Sequence, residues 1–133
     1  MKSQISHIEL KVSNPSVSFP FYKDFLTFLD YKIIHEDKLS LGFLNPPNQI
    51  WLIKTQDKYK HIPFHRQHTG SNHLAFRVQS AKEVDNFYRK FLRQKNITTL
   101  YQSPKLFSEY TPDYYAVYFE DPDRIKLEVN FYT

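Results

Sequence analysis

The chain has 133 residues, among them 12 Phe, 10 Tyr and 1 Trp but only 2 Gly and no Cys. That apolar and aromatic mass can bury a core in a single domain and argues against intrinsic disorder. Without Cys there is no disulfide, thiolate zinc site or cysteine nucleophile, so a metal must be held by His, carboxylate or water. The net charge of +4 is spread along the chain and is densest in KYKHIPFHR (58–66), with no helix-turn-helix, zinc-finger or RNA-binding aromatic motif. No nucleic-acid partner is therefore expected, and the charge fits a small anionic ligand or an ordinary basic surface.

The start, MKSQISHIELKV, has no apolar segment of signal-peptide length, and no run of about 18 apolar residues follows. A cytoplasmic protein with no membrane partner is the expectation. Ile8, Leu10 and Val12 alternate with His7, Glu9 and Lys11, which predicts a strand with one apolar and one polar face. Asn14 is a candidate N-cap with Pro15 at the first helical position, and Pro20 predicts a kink or late start in the helix that follows. Strands are predicted at 31–36, 39–44 and 49–55, with Asn45-Pro46-Pro47-Asn48 turning between the last two. After residues 56–70 comes a strand at 72–78, then a helix over 81–92 capped by Ser80. Further strands at 97–101, 114–120 and 124–131 follow, the last two joined by the Asp121-Pro122-Asp123 turn. Segments 56–70 and 102–113 read as long loops.

A shift of 66 residues lays SHIELKV (6–12) over NHLAFRV (72–78) and FYKDFL (21–26) over FYRKFL (87–92) without a gap. His7 thus pairs with His73, and two halves of about 1–60 and 71–133 each read strand, helix, three strands. The fold class is α+β, a single domain 1–133 built as two βαβββ modules whose mixed sheets are expected to curl around a cleft. His7, His73 and Glu128 all fall on polar strand faces. Were those faces to meet, two imidazoles and a carboxylate would give three protein ligands with positions open for substrate, suiting Zn, Mn, Ni or Fe(II). Shared ancestry, with each His simply hydrogen-bonded on its strand, explains the repeated His equally well.

YFEDPDRIKLEV (118–129), taken with SHIELKV, FYKDFL and NHLAFRV, resembles the vicinal oxygen chelate superfamily, which includes glyoxalase I, fosfomycin-resistance thiol transferases, extradiol dioxygenases and bleomycin-binding proteins. The resemblance covers nearly the whole chain. It implies paired βαβββ modules, metal ligands at His7, His73 and Glu128, and a homodimer. It also implies a fourth ligand in the last strand of the first module, where Trp51 stands instead, unless a shifted register brings in Gln49. Trp in this strand is closer to the fosfomycin-resistance proteins. Their Ser- and Gly-rich loop is not evident in 108–119, however, and little sequence follows Glu128, so fosfomycin itself is not the expected substrate. Arg124 and Thr27 stand where relatives usually carry Gly, which alters loop geometry more than chemistry.

The implied activity is that of a glyoxalase-like enzyme, in which a divalent metal chelates and polarises adjacent oxygens of a small, anionic or thiol-conjugated substrate in lyase, isomerase or thiol-transferase chemistry. Alternatives are an Fe(II) extradiol-type dioxygenase and a metal-free drug-binding protein. Glu128 and Glu9 are the candidate catalytic carboxylates, Glu9 as a base. Trp51, Tyr118, Arg77 and Lys126 are candidate substrate contacts, whereas Tyr115 reads as core. His61, His65 and His68 lie in a Pro-interrupted segment and, like His35, are not expected to form a second metal site.

Overall fold

The computed structural model describes residues 1–133, and these divide into two compact units, Met1–Pro63 and Phe64–Thr133. In the first, β1 (His7–Val12) is followed by α1 (Pro15–Phe28), β2 (Lys32–Glu36), β3 (Ser40–Asn45) and β4 (Asn48–Lys54). The sheet order is β1-β4-β3-β2, with β1 parallel to β4 and the other pairs antiparallel. Such a parallel pair needs a crossover between its strands, and here the crossover holds the helix and a hairpin.

Asn14 caps α1 as expected, its Oδ1 accepting from the Ser16 backbone N–H at 3.2 Å, and Pro15 takes the first turn. The late start considered at Pro20 is not the outcome, for α1 runs from Pro15 to Phe28 with Pro20 inside it. A helical Pro loses the bond to the carbonyl four residues back and crowds that carbonyl, and the buried Phe19, Tyr22, Phe25 and Leu26 carry the helix past it. Leu41, Phe43, Ile50, Leu52 and Val12 complete this unit's core.

The second unit repeats the plan with β5 (His73–Arg77), α2 (Ala81–Phe87), β6 (Thr99–Leu106), β7 (Tyr115–Glu120) and β8 (Lys126–Phe131), in sheet order β5-β8-β7-β6. Ser80 Oγ accepts from the Glu83 N–H while Glu83 Oε2 accepts from the Gln79 N–H at 2.7 Å, a variant of the reciprocal capping box. Over Tyr88–Leu92 the helix widens to a π turn, in which Arg93 N–H reaches the Tyr88 carbonyl. Val84, Phe87, Phe91 and Leu92 are buried there, and Phe87 packs on Phe119 with ring centroids 5.5 Å apart. The apolar face of β8, Leu127 and Val129, belongs to the same core.

The expected loop at 102–113 is half strand. β6 continues to Leu106 across a bulge between Leu100 and Lys105, where Tyr101 and Gln102 adopt φ of 59° and 55°. Neither residue is a glycine, and the left-handed conformation is supported by Ser103, whose Oγ donates to the Leu100 carbonyl at 2.7 Å and accepts from Tyr118 N–H at 2.9 Å. The buried hydroxyl replaces ladder bonds that the bulge interrupts. At the β7–β8 turn Asp121 Oδ1 accepts from both Asp123 and Ile125 N–H at 2.8 Å, and Arg124 has φ 65°. That left-handed position explains why glycine suits it. No helix is long and apolar enough to cross a membrane.

Candidate active site

The second unit carries an open cavity of about 750 Å³ lined in part by His73, Tyr118, Lys126 and Glu128. Strand register brings these groups together. Glu128 lies in β8 between Ala75 of β5 and Tyr118 of β7, and Lys126 is paired with His73. A period of two puts Lys126, Glu128 and Asn130 on one face of β8, opposite the Leu127 and Val129 that join the core. Glu128 is nevertheless 0% exposed, so the face expected to be polar and open is buried at its centre.

A buried carboxylate must be hydrogen-bonded or neutralised. Glu128 Oε1 accepts from Tyr114 Oη at 2.5 Å and from Asn130 Nδ2 at 2.8 Å. Asn130 Nδ2 also donates to Tyr114 Oη at 2.8 Å, which leaves the phenolic proton pointing to the carboxylate. The other oxygen, Oε2, is buried without a hydrogen bond. His73 Nε2 stands 3.1 Å from it. On its other side His73 meets Asn72 Oδ1 at 2.9 Å through Nδ1, while Asn72 Nδ2 donates to the Arg66 carbonyl at 2.9 Å and so fixes the amide's orientation. An acceptor at Nδ1 selects the tautomer with the proton there and the lone pair at Nε2. Burial, then the nearby Lys126 ammonium, lower the pKa of His73 against the opposing pull of Glu128.

Two lone-pair donors, one imidazole nitrogen and one unpaired carboxylate oxygen, thus face each other at 3.1 Å. Adjacent ligands at about 2.0–2.2 Å from one divalent ion are separated by roughly 3 Å, so the pair fits a metal expected from N/O ligands. Within neither unit is there a group of three His, Asp or Glu side chains arranged to hold an ion.

Around this pair the cavity is aromatic and cationic. Lys126 is 9% exposed, and its ammonium lies 5.5 Å from the ring centroids of both Tyr101 and Tyr118, within reach of a cation–π contact with each. Tyr118 meets Phe107 and Tyr101 edge-on at 5.2 and 5.3 Å. Burial and the Glu128 carboxylate push the pKa values of Tyr118 and Tyr114 well up, so both phenols keep their protons at neutral pH.

Other expected site residues sit elsewhere. Arg77 does not line this cavity, because its guanidinium lies 4.1 Å over the Tyr132 ring and donates to the Tyr132 carbonyl. Tyr115 donates to Asp85 Oδ1 at 2.9 Å, a structural contact onto α2. In the first unit His7 and Glu9 are exposed on β1, and Glu9 pairs with Lys11 at 2.9 Å. Trp51 is half-buried over Gly42, its ring 5.6 Å from that of His35 and its Nε1 donating to Gln49 Oε1 at 3.1 Å. Register settles the repeat equivalence: Gln49 pairs with His7 as Lys126 pairs with His73, so Trp51 is the counterpart of Glu128. The rings of His65 and His68 lie 4.9 Å apart and tilted by 35° on the exposed 56–70 segment.

Sequence reasoning missed Asn72, Tyr114 and Asn130. Asn130 is two positions beyond Glu128 on the same strand face and was accessible to the period of two. Tyr114, at the head of the strand expected over 114–120, shares its period-of-two face with Tyr118, but the observed strand begins one residue later, at Tyr115.

A family model described as the Glyoxalase/Bleomycin resistance protein/Dioxygenase superfamily matches residues 4–129. The uncharacterized protein YqjT of Bacillus subtilis is 33% identical over 123 residues, covering 92% of this chain and 94% of that protein. The metallothiol transferase FosB of Staphylococcus saprophyticus is 28% identical over 130 residues, covering 98% of this chain and 78% of its own. Among solved structures, a candidate glyoxalase from Bacillus halodurans superposes with a TM-score of 0.89 at 30% identity, over 98% of this chain and 97% of that one.

Proposed function

Because this chain belongs to the glyoxalase/bleomycin resistance protein/dioxygenase superfamily, we propose that it is a metal-dependent enzyme acting on a small molecule with adjacent oxygens, by lyase, isomerase or thiol-transferase chemistry. The observation that carries this reading is the pair formed by the lone pair of His73 Nε2 and the unpaired, buried Oε2 of Glu128, 3.1 Å apart. His73 and Glu128 would hold a divalent ion such as Zn, Mn, Ni or Fe(II), and the family resemblance alone adds His7 to the ligand set. The ion supplies Lewis acidity that stabilises negative charge developing on substrate oxygen. Likeness to FosB, named a metallothiol transferase, favours the thiol-transfer branch.

The chain's own residues do the rest. Asn72 keeps the His73 proton on Nδ1. Tyr118, protonated at neutral pH, offers a hydroxyl donor beside Glu128. Lys126 supplies fixed positive charge for an anionic substrate group, and the rings of Tyr101, Phe107 and Tyr110 line the same cavity as apolar surface. Trp51 serves as an apolar wall in the first module. Glu9, solvated and paired with Lys11, is left out of the proton chemistry. A cytoplasmic homodimer is the proposed working form, as the resemblance implies.

Metal analysis of protein purified without an affinity tag tests the reading. Zn, Ni or Mn near one per site supports it, and oxygen-sensitive Fe(II) redirects it to a dioxygenase. His73→Ala should abolish metal binding while His65→Ala retains it. Failure of the wild type to take up any of these ions after reconstitution would overturn it. A non-catalytic binding protein is the second reading, favoured by the aromatic cavity walls, and it predicts ligand affinity unaffected by chelators.

A further inference from the structure

Glu128 is oriented by groups that the family's ligand set does not contain. The carboxylate oxygen facing His73 is left free because its sister, Oε1, is taken by two donors, Tyr114 Oη and Asn130 Nδ2. Asn130 is fixed by its strand. Tyr114 is not in a strand; it closes a turn in which its N–H bonds the Thr111 carbonyl at 3.2 Å and its carbonyl accepts from Phe107 N–H at 2.7 Å. A side chain on such a segment needs support to hold one position.

That support comes from residues just beyond β8. Tyr132 stacks on the Tyr114 ring, with centroids 5.1 Å apart and planes 14° from parallel. On Tyr132 lies the Arg77 guanidinium, 4.1 Å from the ring centroid, which also donates to the Tyr132 carbonyl. Thr133 donates to Asp113 Oδ2 from its N–H at 2.8 Å and from Oγ1 at 2.6 Å, clipping the residue before Tyr114 to the same segment. Tyr110 closes the remaining side, edge-on to Tyr114 at 5.2 Å. The result is a column running Arg77, Tyr132, Tyr114, Glu128.

We propose that Tyr114, braced by the Arg77–Tyr132 stack, is the positioning residue that turns Glu128 so that Oε2, and not Oε1, is presented beside His73 Nε2. This rests on the reading of Glu128 as a metal ligand and gives Arg77 a role in the brace. Partners of this kind, which orient a ligand without touching the metal, are worth about 10–100-fold in metal affinity.

The test is titration of chelator-stripped protein with Co(II), read by binding isotherm and visible absorption spectrum, alongside thermal unfolding of the metal-free form. Tyr114→Phe keeps the ring and its stack on Tyr132 but deletes the donor. It should lower Co(II) affinity by about 10–100-fold and change the spectrum as the carboxylate reorients. Tyr132→Leu keeps the hydroxyl, removes the stack, and should move both readouts in the same direction by less. It also carries the test if Tyr114→Phe does not fold. Lowered thermal stability with wild-type affinity and spectrum would mark the column as merely structural and overturn this inference alone. No Co(II) binding by the wild type would overturn it together with the metal reading.

Discussion

Gly42→Ala is the change whose cost follows most directly from the geometry. A methyl at this buried β3 position would fall 2.7, 2.8 and 2.9 Å from Cζ3, Cη2 and Cε3 of Trp51. Contact with the flat of a ring cannot be relieved by rotating a flexible end, so the indole must lift by roughly 1 Å, and overpacking of this kind costs about 1–3 kcal/mol. Lifting also stretches the 3.1 Å bond from Nε1 to Gln49 Oε1, worth about 0.5–1.5 kcal/mol net. Against this, exchanging Gly for Ala within a strand recovers about 0.5–1 kcal/mol of backbone entropy. The net expectation is a loss of about 1–3 kcal/mol, or a fall in Tm of several degrees for a chain of this size. Thermal unfolding measures it, and since Trp51 is the only Trp, its fluorescence reports the displacement without ambiguity. In a Trp51→Ala background the same Gly42→Ala change should be neutral or slightly stabilising, giving a coupling energy of about 2 kcal/mol between the two positions. Equal effects in both backgrounds would refute the claim that the indole lies across Gly42, and with it the placement of Trp51 on the sheet face at the position equivalent to Glu128.

Ser103→Ala should cost about 2–4 kcal/mol in urea unfolding, because it strands the Tyr118 N–H and Leu100 carbonyl at a buried bulge; a loss under about 0.5 kcal/mol would show that the bulge does not need the hydroxyl. Asn72→Ala frees the His73 tautomer and should weaken metal binding about tenfold, read by competition with a chromogenic chelator. Lys126→Met should raise KM for an anionic substrate far more than it lowers kcat, and unchanged KM would remove Lys126 from substrate binding. Asp37 accepts hydrogen bonds from Leu39 and Ser40 N–H, which hold its pKa down at about 2, below the ordinary carboxylate range. A depressed carboxylate stabilises the fold above its unfolded pKa, and that contribution is lost as pH falls through the folded one. The stability difference between wild type and Asp37→Asn should therefore shrink as pH drops from about 4 to about 2, and a difference that stays constant over this range would refute the assignment.

The strands and caps were readable because each depends on neighbours in the chain. Alternation marked β1, β5 and β8, Asn14 and Ser80 marked the helix starts, and Asp121 marked the last turn. The repeat marked His73, and the period of two set Glu128 and Lys126 on one face, which the cavity confirms. Less legible was β6. A bulge breaks the period of two, and Tyr101 and Gln102 in left-handed conformations look nothing like the glycines that usually signal one. Arg77 misled for a related reason: alternation tells which face a side chain leaves from, but the long guanidinium arm went to Tyr132.

The sequence by itself determined the residue types available for chemistry: no thiols, one His at the head of each repeated strand, one Glu in the last strand, and a Trp where that Glu's counterpart would stand. These follow from composition and periodicity, which are local. Tertiary structure decided the state of those groups. Whether Glu128 is solvated or buried, which of its oxygens is free, and which nitrogen of His73 carries the proton depend on Tyr114, Asn130 and Asn72. Tyr114 comes from a turn, and its side chain is held by packing against Tyr132 and Tyr110. A carboxylate's reactivity is set by the donors around it and the water excluded from it, and both are properties of chain segments brought together by folding.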